Sequence, residues 1–573
     1  MNASNRDAPS LGEPPLPAYA MRLERAGRHA EAEEAYAAHV AAHPGDTRAL
    51  ASAGRAALKA GRTAVAIRRF EQLAALLPES ADARSALGQA FILAGRPAEA
   101  IFHLERAVQL DPRQADAHHR LGVAFERAAD RSNAIRSYER ALALAPAHAD
   151  AAAALGNVCS RRGDTTRARE AFARALAAEP AHLDARTGLA FAAAIDGDLD
   201  GARATLEALA YERPAGAAFW NALGKLRAWS GALEAAEDAY RRAAENDPSD
   251  VDARFGIAGA LLGRGRYEAG FRALEERPDG RFGEARRFAR LPVWSGARLD
   301  GTLLVHCEGS LSDTAQFARF LPDARARVAE LALVADGYWA PLAPLLATAA
   351  GVDRLLEDPA QADALRARPV VRAGIQSLPF HLGITPDKLP AHAPYLSAPH
   401  DRAEVWRSRL ASLPAPRIGL AWNARGDRGA LARHKSVPPP ALAPVLATPG
   451  VAFVSLQIGA LGDLAGFGAF ASRVADFSHD IRDFGDTAAI IAALDLVISV
   501  DTSVAHVTGA MGKPVWLLDR FHTSWRWRLA PGRSPWYPSL RIFRQHRFLD
   551  WSHALGAVAA ALAAFAADRT LPP

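Results

Sequence analysis

Within the stretch LDLVISVDTSVAHVTGAMGK, Leu494 to Lys513, an acid, two hydroxyls and an imidazole stand close together: Asp501, Thr502, Ser503 and His506. The apolar run Leu496 to Val500 reads as a buried strand ending at Asp501, and Thr502 or Ser503 can cap a short helix that begins there. A helix start presents backbone N–H groups beside those hydroxyls, with His506 one turn in, so the segment suits an anion such as a phosphate. A strand, an aspartate and a threonine cap are also ordinary structural chemistry, and the residues alone leave both readings open.

A second concentration of chemistry lies between Asp519 and Arg547, where Arg520, Arg526, Arg528, Arg533, Arg541, Arg544 and Arg547 interleave with Trp525, Trp527, Trp536 and Tyr537. Such a patch can stack on bases, hold a phosphorylated small molecule or pack against another domain. The net charge of +5 adds little to the first option, because elsewhere arginine is interleaved with Asp and Glu as on solvated helix faces, and no nucleic-acid partner is expected. Cys159 and Cys307 are the only cysteines, which gives neither a disulfide framework nor clustered metal ligands; no metal and no cofactor are expected. The longest apolar run, Ala554 to Ala567, is shorter than the roughly 20 residues of a membrane span. Met1 to Pro17 has no apolar core and reads as a flexible tail, not a signal peptide, so a cytoplasmic protein with no membrane contact is expected.

The elements that must position these groups begin with a repeat. Prolines stand at 44, 78, 112, 146, 180, 214 and 248, each 34 residues after the last. In phase with them recur Gly54, Gly88, Gly122, Gly156 and Gly224, then Gly61, Gly95, Gly163, Gly197 and Gly231, and the aromatics Phe70, Tyr138, Phe172 and Tyr240. A small residue lets two antiparallel helices approach, a glycine turns between them, an aromatic fills the gap and proline stops the second helix. The pattern resembles the tetratricopeptide (TPR) repeat, whose units bury their apolar faces only by stacking into a solenoid.

The repeat fades near Arg264 to Arg277, and short apolar runs then alternate with helical segments: Thr302 to Val305, Ala332 to Val334, Arg417 to Ala421, Ala452 to Leu456, Leu494 to Val500 and Pro514 to Leu518. This alternation predicts an α/β architecture with parallel sheets, and the proline-rich break at Leu413 to Arg417 divides it into two lobes with a cleft between them. The expected organisation is a tail over 1–16, a TPR solenoid over 17–276, a linker over 277–299, an N-terminal lobe over 300–413, and a C-terminal lobe with a closing helix over 414–573.

Set side by side, RIGLAWN (Arg417 to Asn423), HKSV (His434 to Val437), FVSLQ (Phe453 to Gln457), DFGDTAAIIAALDLVISVDTSVAH (Asp483 to His506), GKPVWLL (Gly512 to Leu518), WRW (Trp525 to Trp527) and SPWYPSLRIFRQ (Ser534 to Gln545) resemble the C-terminal lobe of GT-B glycosyltransferases of the heptosyltransferase type. The runs His306 to Pro322 and Ser377 to Ile384 resemble the N-terminal lobe. TPR followed by GT-B, two Rossmann-like lobes with parallel sheets, is also similar to the architecture of O-GlcNAc transferase and of bacterial flagellin glycosyltransferases.

The resemblance implies Lys435 and Ser436 on the donor phosphates, with Asp501, Thr502, Ser503 and His506 holding the sugar and diphosphate. Asn423, Gln457, Asp486 and Thr487 are further donor-binding candidates, Asp486 serving equally well as a helix cap. Asp313 falls at the place of the base that deprotonates the acceptor. Around it the family's glycine–leucine–glycine–aspartate reads Ser310, Leu311, Ser312, Asp313, and serine costs energy wherever the backbone needs positive φ. The implied activity is metal-independent transfer of a sugar from a nucleotide-sugar donor to Ser or Thr of a protein acceptor, flagellin foremost, recruited by the solenoid. A non-catalytic TPR adaptor with a degenerate sugar-nucleotide domain, or a glycolipid heptosyltransferase, are the alternatives.

Overall fold

The computed structural model describes residues 16–211, 216–277, 287–365, 369–390, 393–424, 430–458, 464–529 and 532–568. Nearly all of the tail expected over 1–16, and residues 278–286 of the expected linker, lie outside the described residues. Two compact units make up the chain, Met1–Ala192 and Ala193–Pro573.

From α1 (Leu16–Arg25) to α16 (Tyr267–Glu275), sixteen helices follow one another among the described residues, paired as the repeat requires. The in-phase glycines sit where no side chain fits: a Cβ on Gly54 would lie 2.5 Å from the Phe70 ring and one on Gly156 2.5 Å from the Phe172 ring. The turn glycines carry positive φ, 73° at Gly61 and 83° at Gly163, and Ala129 at the same phase is forced to 61°. Before the phased prolines among the described residues the chain leaves the helical region, as at Leu77 (ψ 66°) and Glu179 (ψ 94°), because proline disfavours α conformation in its predecessor.

Beyond the repeats two sheets form, every strand pair parallel. The first has the order β3-β2-β1-β4, from β1 (Leu299–His306), β2 (Val328–Val334), β3 (Arg354–Leu356) and β4 (Val370–Gly374). The second has the order β10-β9-β8-β5-β6-β7, from β5 (Arg417–Ala421), β6 (Ala452–Ser455), β7 (Val474–Ala475), β8 (Leu496–Val500), β9 (Val515–Asp519) and β10 (Leu540–Arg544). All five residues of β8 and of β9 are buried, as befits strands covered on both faces. The helices that matter to the site are α17 (Leu311–Phe317), α18 (His400–Leu410), α19 (Phe484–Ala492), α20 (Ser503–Ala510) and the closing α21 (Ser552–Asp568).

Within the second unit the last repeats share one hydrophobic core with both sheets: Leu262, Tyr267 and Phe271 are buried together with Leu303, Phe317, Val507 and Trp536. The arginine-aromatic stretch belongs to this core. Trp527, Trp536 and Tyr537 are fully buried, and Trp525 stands edge-on to Tyr267 and Phe271, so the aromatic members of this stretch pack against neighbouring elements. Arg319, itself buried, donates to the Trp536 carbonyl and lies 5.1 Å from the centre of that ring.

Candidate functional site

In parallel sheets the loops at the carboxyl ends of the strands converge, and in this chain they converge on a cavity of about 880 Å³ lying wholly in the second unit. Asp313, Asn423, Lys435, Gln457, Thr487, Asp501, Thr502 and Ser503 all line it. So do Val251 and Phe255 of α15 (Val251–Gly263), which bring the last repeats to its wall.

The ends of β5 and β6 are tied reciprocally: Asn423 N–H donates to Gln457 Oε1 at 3.0 Å and Gln457 Nε2 donates to the Asn423 carbonyl at 3.0 Å. Ser436 braces this corner from behind, its Oγ donating to Asn423 Oδ1 at 3.2 Å and accepting from Ala424 N–H at 3.0 Å. Lys435 enters from the same segment. At the end of β8, Asp501 Oδ1 accepts from Trp527 Nε1 at 3.1 Å. Burial alone would favour a neutral Asp501, but His506 beside it and the charges of Lys435 and Arg520 outweigh burial and hold the carboxyl well below the usual range. Thr502 is the N-cap residue of α20, whose first N–H groups have no intrahelical acceptors.

Like Ser436, two further candidates sit behind the cavity wall and do not line it. His506 is buried, shares a 2.9 Å hydrogen bond between Nδ1 and the Tyr537 hydroxyl, and lies 3.7 Å from Asp501 through Nε2. Burial depresses its pKa against the pull of Asp501, and His506 is not among the residues that line the cavity. Asp486 accepts from Arg482 Nε at 2.9 Å and Trp406 Nε1 at 3.3 Å, which anchors α18 on α19. The helix cap is instead Asp483, accepting from Gly485 N–H at 2.8 Å, and Thr487 from the same turn faces the cavity.

The serines of the N-lobe loop cost no backbone strain. Positive φ falls one residue earlier, on Gly309 (71°), where a Cβ would lie 1.9 Å from Gln376 Nε2. Ser310 is extended (φ −85°, ψ 165°) and caps α17: its Oγ accepts from Asp313 N–H at 3.1 Å while Asp313 Oδ2 accepts from Ser310 N–H at 2.9 Å. Ser312 is helical.

Two cavity-lining cations were not among the expected site residues, although Arg526 belongs to the arginine-aromatic stretch read from the sequence. Arg277, just past α16, pairs with Glu308 at 2.6 Å and donates to Ser377 Oγ at 2.7 Å. Arg526 pairs with Asp313 across 213 residues of sequence and donates from Nε to Gln316 Oε1. The signal for Arg526 was its place between two tryptophans in WRW; for Arg277 there was none. Among the described residues no His, Cys, Asp and Glu cluster could hold a metal ion, and no helix is long and apolar enough to cross a membrane.

Tetratricopeptide-repeat family profiles match residues 51–115 and 221–281, 117–150, and 160–226. The helical array is made of TPR units. The chain is 32% identical over 365 residues to Protein FlbA of Caulobacter vibrioides, covering 60% of each protein, so it spans about three-fifths of that relative's length. Among solved structures it is similar to a thermophilic TPR protein of Thermus thermophilus (25% identity, 31% of this chain and 97% of that one, TM-score 0.28) and to MamA (26% identity, 28% and 94%, TM-score 0.26).

Proposed function

We propose that the chain is a cytoplasmic glycosyltransferase that moves a sugar from a nucleotide-sugar donor to a Ser or Thr hydroxyl of a protein held by the TPR array, flagellin being the acceptor that the likeness to flagellin glycosyltransferases suggests. The observation that carries this reading is the meeting of Lys435, Asp501, the start of α20 and Asp313 on one cavity at the strand ends of two parallel sheets. A cation and backbone N–H groups suit the donor diphosphate. In the transfer step the acceptor hydroxyl gives its proton to Asp313 as its oxygen bonds to the anomeric carbon; the bond from that carbon to the diphosphate breaks, and the nucleoside diphosphate leaves with the electron pair.

The acceptor side fits the same reading. Val251 and Phe255 are 39% and 46% exposed at the cavity, and Tyr338 is 45% exposed, so a polypeptide would meet apolar surface from the last repeat on reaching the sugar. One observation favours a second reading, a donor-binding adaptor without turnover: Asp313 is already held by Arg526. The deciding experiment incubates the full chain and Lys435→Ala with flagellin and a panel of nucleotide sugars and reads intact acceptor mass. A glycan mass gained with the wild type and lost with Lys435→Ala supports the enzyme; binding of donor with no mass gained on any acceptor supports the adaptor.

A further inference from the structure

Of the three cations on the cavity, Arg277 is locked by Glu308 and Ser377, and Lys435 stands near the ionised Asp501. Arg526 is differently placed. Among the described residues its one ionic partner is Asp313, the carboxylate a base would need, and its guanidinium lies 4.6 Å from the centre of the Trp525 ring. The two oxygens of Asp313 divide their work: Oδ2 accepts from Ser310 N–H and Oγ at 2.9 and 2.7 Å, while Oδ1 accepts from Arg526. Asp313 keeps its place in the helix cap even when Oδ1 is released.

Both partners are mostly buried, with side chains 17% and 21% exposed. At such sites desolvation offsets much of the attraction, so the pair adds little to stability and another anion can compete for the guanidinium. Arg526 and Lys435 also line the same cavity as Asp501, Thr502 and Ser503 at the start of α20. A ligand with two linked phosphates can meet both cations there, and the planar guanidinium takes a phosphate in the same two-pronged fashion as a carboxylate.

We infer that Arg526 is a ligand of the donor diphosphate and exchanges Asp313 for it, so that donor binding itself releases the carboxylate oxygen that takes the acceptor's proton. This rests on the nucleotide-sugar reading above. The protein is thereby an ordered enzyme: without a diphosphate on Arg526 there is no available base, and the ion pair that favours an adaptor becomes the resting state of a catalyst.

The test is calorimetry on the full chain with UDP, GDP, CDP, ADP, dTDP and inorganic pyrophosphate as probes. Asp313→Asn, which removes the competing charge, binds the preferred nucleotide more tightly by about tenfold, and Arg526→Gln binds it more weakly by about as much. In the Arg526→Gln background the gain from Asp313→Asn disappears. Pyrophosphate shows the same ordering if the contact is with the diphosphate; a gain seen with the nucleotide but not with pyrophosphate overturns the assignment. Affinity in Asp313→Asn no higher than in the wild type, with Lys435→Ala still weakened, overturns the exchange and leaves the donor site standing. If no probe binds the wild type, the exchange and the donor reading fall together. Should Arg526→Gln fail to fold, the comparison of Asp313→Asn with the wild type decides alone.

Discussion

His434 Nδ1 and His522 Nε2 lie 2.9 Å apart in a buried hydrogen bond, and His434 Nε2 donates to the Ile195 carbonyl at 3.0 Å. Trp229 of α13 (Ala217–Trp229) stacks on His522 with ring centres 4.7 Å apart, so two neutral imidazoles fasten the later repeats to the C-terminal sheet. Burial pushes His434 down to about 4 against the opposing Ile195 hydrogen bond, and burial with the charge of Arg520 pushes His522 lower still. An unfolded chain protonates both near their ordinary value of 6.5. Below that pH the unfolded state binds more protons than the folded one, so stability falls as pH drops from about 6.5 towards 4 and gains no slope from this pair above pH 7. Calorimetric melts of the second unit's transition should show this fall, and His434→Gln should flatten it; an equal slope in both proteins refutes the role of the pair.

Lys435→Ala should weaken nucleoside diphosphate binding by at least tenfold, because a charge-assisted contact at a partly buried site contributes about 1.5–3 kcal/mol. Equilibrium dialysis with the preferred nucleotide checks it, and unchanged affinity removes Lys435 from the site.

For Asp313→Asn, turnover should drop by about 10²- to 10⁴-fold although the donor binds no worse. Rate and affinity moving in opposite directions distinguish a base from a mere binding group. Turnover like that of the wild type would end the role.

Phe255→Ala should raise the KM for the protein acceptor several-fold while donor affinity moves far less, since Phe255 sits 46% exposed at the cavity on a repeat helix. Steady-state kinetics with intact acceptor make the comparison, and an acceptor KM that stays put excludes this wall from the acceptor path.

Gly156→Ala should destabilise the first unit by about 1–3 kcal/mol, as its new Cβ would lie 2.5 Å from the buried Phe172 ring and force it to move. A denaturant melt suffices, and a midpoint like that of the wild type would show that the helices separate without cost.

The repeat was legible because its determinants are local and periodic: a small residue facing an aromatic of its own unit and a proline stopping the chain every 34 residues. The longer buried strands were legible too, β5 at both its limits and β8 and β9 to within a residue or two, since runs such as LVISV have no polar break. β3 and β7 are too short, at three and two residues, to stand out, and β4 carries Arg372 in its middle. At the cavity the chain-local group Asp501, Thr502 and Ser503 could be read directly, while Lys435 and Asp313 needed a family likeness. What a single sequence could not yield were pairings over long separations, Arg526 with Asp313 and Arg277 with Glu308, nor that Asp486 spends itself on Arg482 and Trp406.

Because Tyr267 and Phe271 lie in the same core as Phe317 and Trp536, the two ends of the TPR array are not equivalent in evolution. Loss of a repeat next to the sheets would open the shared core of the second unit and remove a wall of its cavity. Among the described residues, none of the first 192 belongs to that core or lines the cavity. Under the proposed function, unequal crossing-over among the first repeats would change the length of the acceptor-holding array without altering a residue that lines the cavity.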